Sequence, residues 1–208
     1  MTLAQAIVAR HVNRRILRAP CGGGQAGSAK MPPMRKVAVI ASASGNGGTT
    51  LGRELARRLG VPFVELDALV HGPGWVETPD DKLRAKVELI VASDGWVIDG
   101  DYQRKLGDLV LRAADTVVWL DLPMRIWLPR LIRRTVRRSI RREQLWNSNR
   151  ESLRGTIWGR ESLFAWAFRS HFSCRREWPQ ALSHLNVIRL RKRADVERFL
   201  ESQAAGDA

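Results

Sequence analysis

The most constraining stretch of the chain covers residues 37–59. An apolar run, Val37-Ala38-Val39-Ile40-Ala41, feeds a small-residue loop over 42–48, and a helix opens at Thr49. A buried strand that passes through a glycine-rich turn into a helix N-terminus makes an anion cradle. Successive backbone N–H groups converge there, and the helix dipole adds partial positive charge. Leucines 51, 55 and 59 recur at helical spacing with arginines between them, and Gly60 ends the helix.

The rest of the chain repeats the alternation. Strands are expected at 62–66, 95–99, 116–120 and 186–190, and helices at 80–92, 124–142 and 194–203, with a loop at 71–75. Strands alternating with helices predict an α/β fold with a parallel sheet covered on both faces. A length of 208 residues, 44% of them hydrophobic, suits one domain over 35–208. Residues 1–34 contain no acid, carry Arg10, Arg14, Arg15 and Arg18, and pass into a glycine run. That composition reads as a disordered or mis-started extension, with an organellar transit peptide as the other reading. Cys21 and Cys174 lack the spacing of a disulfide framework or zinc site. No run of eighteen apolar residues spans a membrane, and a cytoplasmic location is the expectation.

The loop departs from the phosphate-binding pattern G-x-x-x-x-G-K-[ST]. Laid over residues 42–49, the pattern keeps Gly47 and the Thr49 hydroxyl but puts Ser42 at its first glycine and Gly48 at its lysine. Two strands end in a carboxylate able to sit near a metal, at Asp99 and Asp121, and nothing local separates them. Asp67 ends the second expected strand, where the crevice of a parallel sheet opens. The formal charge of +14 points to an anionic partner. Much of it sits on residues 124–142, where arginines 130, 133, 134, 137, 138, 141 and 142 form a cationic wall and Leu128, Leu131, Ile132, Val136 and Ile140 take the other face. With no acid among them, these guanidiniums repel one another until an anion joins them.

The order of strand, loop, helix, Leu66-Asp67, Asp99-Gly100 and Asp121-Leu122-Pro123 before an arginine-bearing helix resembles adenylate kinase and related small P-loop kinases. It is most similar to adenylate-kinase-like, topology-modulation P-loop NTPases, through Leu66-Asp67-Ala68-Leu69, Trp96-Val97-Ile98-Asp99-Gly100 and Leu145-Trp146-Asn147-Ser148-Asn149-Arg150-Glu151-Ser152. The resemblance implies the three-layer fold of nucleoside-monophosphate kinases, with an arginine-rich helical lid over about 143–171. It implies ATP and Mg2+ held by Ser44, Gly45, Asn46, Gly47, Gly48, Thr49 and Thr50, with Thr49 and Asp99 at the metal. Arg130 falls where the family packs an arginine on adenine, and Arg134 where one contacts phosphate. Asp67 is similar to the aspartate that orients an acceptor hydroxyl in shikimate-kinase-like enzymes, and Arg150 lies in the shared lid phrase. The wall arginines then stand in for part of the missing lysine.

Three readings follow: phosphoryl transfer from ATP to an unknown small-molecule acceptor, nucleotide binding without turnover, or nucleic-acid binding through the arginine helix. A lysine placed at 48 is expected to raise any ATPase rate. His71 and His171 receive no role, because neither has a nucleophile or metal partner at useful spacing. Trp158 and Trp166 are read as packing residues.

Overall fold

A computed structural model describes residues 34–141, 147 and 163–204. Its centre is a sheet of five parallel strands: β1 (Lys36–Ala41), β2 (Phe63–Glu65), β3 (Trp96–Asp99), β4 (Thr116–Leu120) and β5 (Val187–Leu190). They lie in the order β2-β3-β1-β4-β5. The helices are α1 (Gly48–Leu59), α2 (Leu66–Val70), α3 (Asp80–Val91), α4 (Gln103–Leu106), α5 (Leu109–Ala113), α6 (Met124–Arg141), α7 (Leu163–Ala181) and α8 (Arg193–Ala204).

Both faces of the sheet are dry, as the near-continuous apolar strands require. Ala38 and Ile40 of β1 point into one core with Leu66, Leu83, Ile98 and Trp119. Val37 and Val39 point into the other with Leu55, Val97, Val118 and Phe199. Full burial of such side chains stabilises the fold by about 2 kcal/mol each. A third cluster joins Ala43 of the loop to Trp127 and Leu131 of α6 and to Leu163 and Ala167 of α7. This contact fixes the arginine helix against the loop.

Two expectations need correcting. The strand expected at 62–66 stops at Glu65, and Leu66 opens α2. Leu66 and Val70, one turn apart, are both fully buried, so helical spacing there wins over extension. Asp67 consequently lies in the first turn of a helix. On α6 the buried stripe is Trp127, Leu131 and Thr135, while Ile132, Val136 and Ile140 are exposed. The helix packs on a narrow ridge of residues four apart rather than on the broad apolar face. Of the expected lid, residues 163–171 are the first turns of α7 and bury Leu163 and Ala167 in the third cluster. Asn147 apart, residues 142–162 lie outside the described residues, and so do 1–33. Among the described residues no helix is long and apolar enough to cross a membrane.

Candidate functional site

The strand order reverses at β1, so the loop that follows it sits at the crevice beyond the carboxyl ends of the strands. Gly45 (φ 90°) and Gly47 (φ 96°) adopt left-handed backbone, and a Cβ on Gly45 would lie 2.6 Å from the Trp127 carbonyl oxygen. Ser42 is not in that region, so a non-glycine residue is tolerated at the pattern's first position. Helix α1 begins immediately after Gly47, with no acid in its first turn and no side-chain cap. No side chain among the described residues caps its N-terminal N–H groups. Ser44, Gly45, Asn46, Gly47, Gly48, Thr49 and Thr50 all line one open cleft of about 1410 Å³. The Asn46 side chain is turned inward. Its Nδ2 donates to the Ala43 carbonyl at 2.8 Å, and its Oδ1 accepts from the Leu122 N–H at 3.0 Å. It braces the loop, and any ligand contact at this position falls to the backbone.

Beside the helix start, Thr49 Oγ1 lies 2.7 Å from Asp99 Oδ2 and 3.2 Å from Glu65 Oε1, its single proton shared between two carboxylates. Asp99 and Glu65 are register partners on β3 and β2. Burial, and then the neighbouring charges of Asp67 and Glu65, push Asp99 up from 3.8 to about 7 against the pull of the Thr49 hydrogen bond. A cation would relieve that crowding. Among the described residues no group of three or more His, Cys, Asp or Glu stands ready to enclose a metal. Magnesium is held by one or two protein oxygens, waters and substrate phosphates, and Thr49 Oγ1 and the Asp99 carboxylate offer such oxygens side by side. The residues present therefore fit an Mg2+ that arrives with a nucleotide.

The same geometry explains position 48. A Cβ there would lie 2.4 Å from Asp99 Oδ1, so any larger residue drives the carboxylate away from Thr49. A lysine at 48 therefore requires the Asp99 carboxylate to shift. Positive charge comes instead from α6. Arg130 Nη1 stands 3.9 Å from the position of a Cβ on Gly47, and Arg130, Arg134, Arg137 and Arg138 line the cleft.

The far end of the cleft is built on α2 and the turn before α4. Asp67 Oδ1 accepts a hydrogen bond from the Tyr102 hydroxyl, which also lies 3.3 Å from His71 Nε2. Tyr102 holds a left-handed backbone (φ 44°), a conformation costly for a bulky residue and maintained here by its neighbours. Burial and the Asp67 charge raise the Tyr102 phenol well above its ordinary value, so it remains a donor. Burial also lowers His71, which is neutral at pH 7.

Asp121, the other candidate carboxylate, takes no part in the cleft. It is fully buried and paired with Arg175 Nε at 3.0 Å and Arg189 Nη2 at 2.6 Å. Ser42 Oγ sits 3.4 Å from both Asp121 Oδ1 and His171 Nδ1, and Arg175 Nη1 is 3.3 Å from His171 Nε2. This network ties the back of the loop to α7 and β5. Sequence reasoning missed Glu65, Tyr102, His71 and the whole Asp121 network, since their partners are up to 129 residues apart. An arginine inside an apolar strand was the available signal, in Ile188-Arg189-Leu190. Arg150 lies outside the described residues.

No protein-family model and no curated protein matches the sequence. Solved structures do match in fold. A shikimate kinase from Acinetobacter baumannii in complex with shikimate superposes with a TM-score of 0.52 at 16% identity, over 84% of this chain and 96% of that one. A sugar kinase from Janibacter sp. gives 0.48 at 22% identity, over 82% and 92%. A gluconokinase from Sinorhizobium meliloti gives 0.46 at 18% identity, over 85% and 99%. The chain has the fold of a small, nucleoside-monophosphate-kinase-like P-loop protein.

Proposed function

We propose that the protein binds ATP with Mg2+ and transfers the γ-phosphoryl group to a hydroxyl of a small-molecule acceptor. The observation that carries this reading is the convergence on one cleft of an uncapped α1 N-terminus, the Thr49–Asp99 pair and the α6 arginines. Backbone groups of the loop hold the phosphates. Thr49 and Asp99 hold the magnesium, which when bound neutralises charge on the phosphate oxygens. Arg130, reaching the loop tip from α6, takes over part of the lysine's electrostatic work, and Arg134 supports it one turn on. In the transfer the acceptor oxygen bonds to the γ-phosphorus, the bond to the β–γ bridging oxygen breaks, ADP leaves, and the acceptor proton passes to Asp67.

Arg130, Arg134, Arg137 and Arg138 line the cleft with the loop, which favours nucleotide over nucleic acid as their anion. Nucleotide binding without turnover is a second reading, favoured by the absence of a lysine on the loop itself. The test is Arg130→Ala with Mg-ATP. The reading expects ATP affinity to fall about tenfold, a charged hydrogen bond being worth roughly 1.5–3 kcal/mol. Unchanged affinity contradicts it. ADP release in the presence of an acceptor separates transfer from binding alone.

A further inference from the structure

We infer that Tyr102 is a positioning residue for the acceptor: its phenol, seated between Asp67 and His71, holds the Asp67 carboxylate in the orientation that takes the acceptor proton. The inference rests on the phosphoryl-transfer reading above, in which that proton passes to Asp67. Asp67 and His71 stand one turn apart, at the start and the end of α2, and the His71 N–H donates to the Asp67 carbonyl at 3.0 Å. Their side chains therefore leave the helix on one face, and both reach the same hydroxyl. The phenol has a single proton and donates it to Asp67 Oδ1. The His71 contact at 3.3 Å is then an Nε2–H donating to the phenol oxygen.

The phenol is itself held still. The Tyr102 carbonyl accepts from the Lys105 N–H at 2.8 Å and the Leu106 N–H at 3.0 Å, Leu106 is fully buried, and the tyrosine ring packs against the core that contains Leu66 and Trp119. These contacts maintain the left-handed backbone at φ 44°, which a bulky residue adopts only when its surroundings enforce it. The chain thereby aims one fixed hydroxyl at one carboxylate oxygen. Asp67 and Tyr102 both line the cleft that holds the loop, Thr49 and Asp99. Without such a partner a carboxylate on the wall of an open cleft turns about its side-chain torsions, and a misplacement of about 1 Å near reacting atoms costs up to about a hundredfold in rate.

The test is a double-mutant cycle in the full chain, read as ADP formation from Mg-ATP with water and then molar glycerol as the acceptor hydroxyl, beside calorimetric titration of Mg-ATP. Tyr102→Phe keeps the ring and removes the hydroxyl. It is expected to lower turnover about tenfold while Mg-ATP affinity stays within about twofold. In an Asp67→Asn background it should lower turnover no further, because the phenol acts through that carboxylate. Losses that multiply across the two variants overturn the inference. Faster turnover in Tyr102→Phe also overturns it, and makes the phenol a shield on Asp67. Tyr102 is the single tyrosine of the chain, so 3-fluorotyrosine labels this site alone. Its fluorine resonance should move in Asp67→Asn and stay in place in Arg141→Ala, a difference that a packing role does not produce; an unmoved resonance in Asp67→Asn overturns the inference. Turnover equal in wild type and Tyr102→Phe, with nucleotide heat intact, removes this inference alone. Absence of nucleotide heat, or of ADP formation with either acceptor, removes the phosphoryl-transfer reading and this inference with it.

Discussion

Asp99 and Asp121 end neighbouring apolar strands on either side of β1 and look alike in sequence, yet their surroundings are opposite. Asp121 is sealed between two guanidiniums and a serine. Asp99 meets a threonine hydroxyl and two further carboxylates, and is pushed up to about 7. One carboxylate is satisfied by the protein, and the other, on the proposed reading, takes its cation from outside. Buried charge without a built-in partner is costly, and it persists where a ligand completes the site.

The largest effect expected from breaking this contrast is on stability. Asp121→Ala leaves Arg175 and Arg189 facing a hole, and should cost about 3 kcal/mol, at the low end for one partner of a buried pair because both guanidiniums reach solvent. Urea unfolding checks it; a loss below about 1 kcal/mol would mean the network contributes little. Asp99→Asn should do the reverse in the absence of metal at pH 7, raising the midpoint slightly, while weakening Mg-ATP about tenfold or more. A variant that binds Mg-ATP as well as the wild type would remove Asp99 from the metal site.

Next in size is the pH dependence. Folded Asp99 holds its proton up to about pH 7, while the unfolded chain releases it near 3.8. The folded state thus binds more protons across that window, and its contribution to stability falls as pH rises from about 4 to about 7. Thermal melts of wild type against Asp99→Asn isolate the slope, and magnesium with nucleotide should flatten it. A wild-type slope equal to that of the variant contradicts the assignment. The smallest effect separates residues of the arginine wall: Arg134→Ala should weaken ATP a fewfold, and Arg141→Ala, which does not line the cleft, hardly at all. Equal losses would return the wall to diffuse electrostatics.

What the sequence disclosed follows from the range of the interactions involved. The β1–loop–α1 unit is local, so its strand, its glycine-rich turn and its helix start were legible in residues 37–59. Strand positions were legible for the same reason. Which aspartate the protein would satisfy was not, because Arg175 and Arg189 reach Asp121 from 54 and 68 residues away. The inner face of α6 was misjudged because its partners, Leu163 and Ala167, lie on another helix, and they select the ridge of Trp127, Leu131 and Thr135 over the exposed Ile132, Val136 and Ile140. Position 48 was visible as a missing lysine, but what crowds a side chain there is a carboxylate 51 residues on, at Asp99.

The most direct test of the account is a calorimetric titration of the full chain with ATP at physiological salt, once with magnesium and once with it chelated, and with a short DNA duplex as the competing anion. The account predicts saturable micromolar binding of ATP that weakens at least about tenfold without magnesium, since Asp99 and Thr49 act through the ion. Absence of ATP heat beside salt-sensitive binding of the duplex would contradict it, and would make the arginine wall, not the loop, the functional surface.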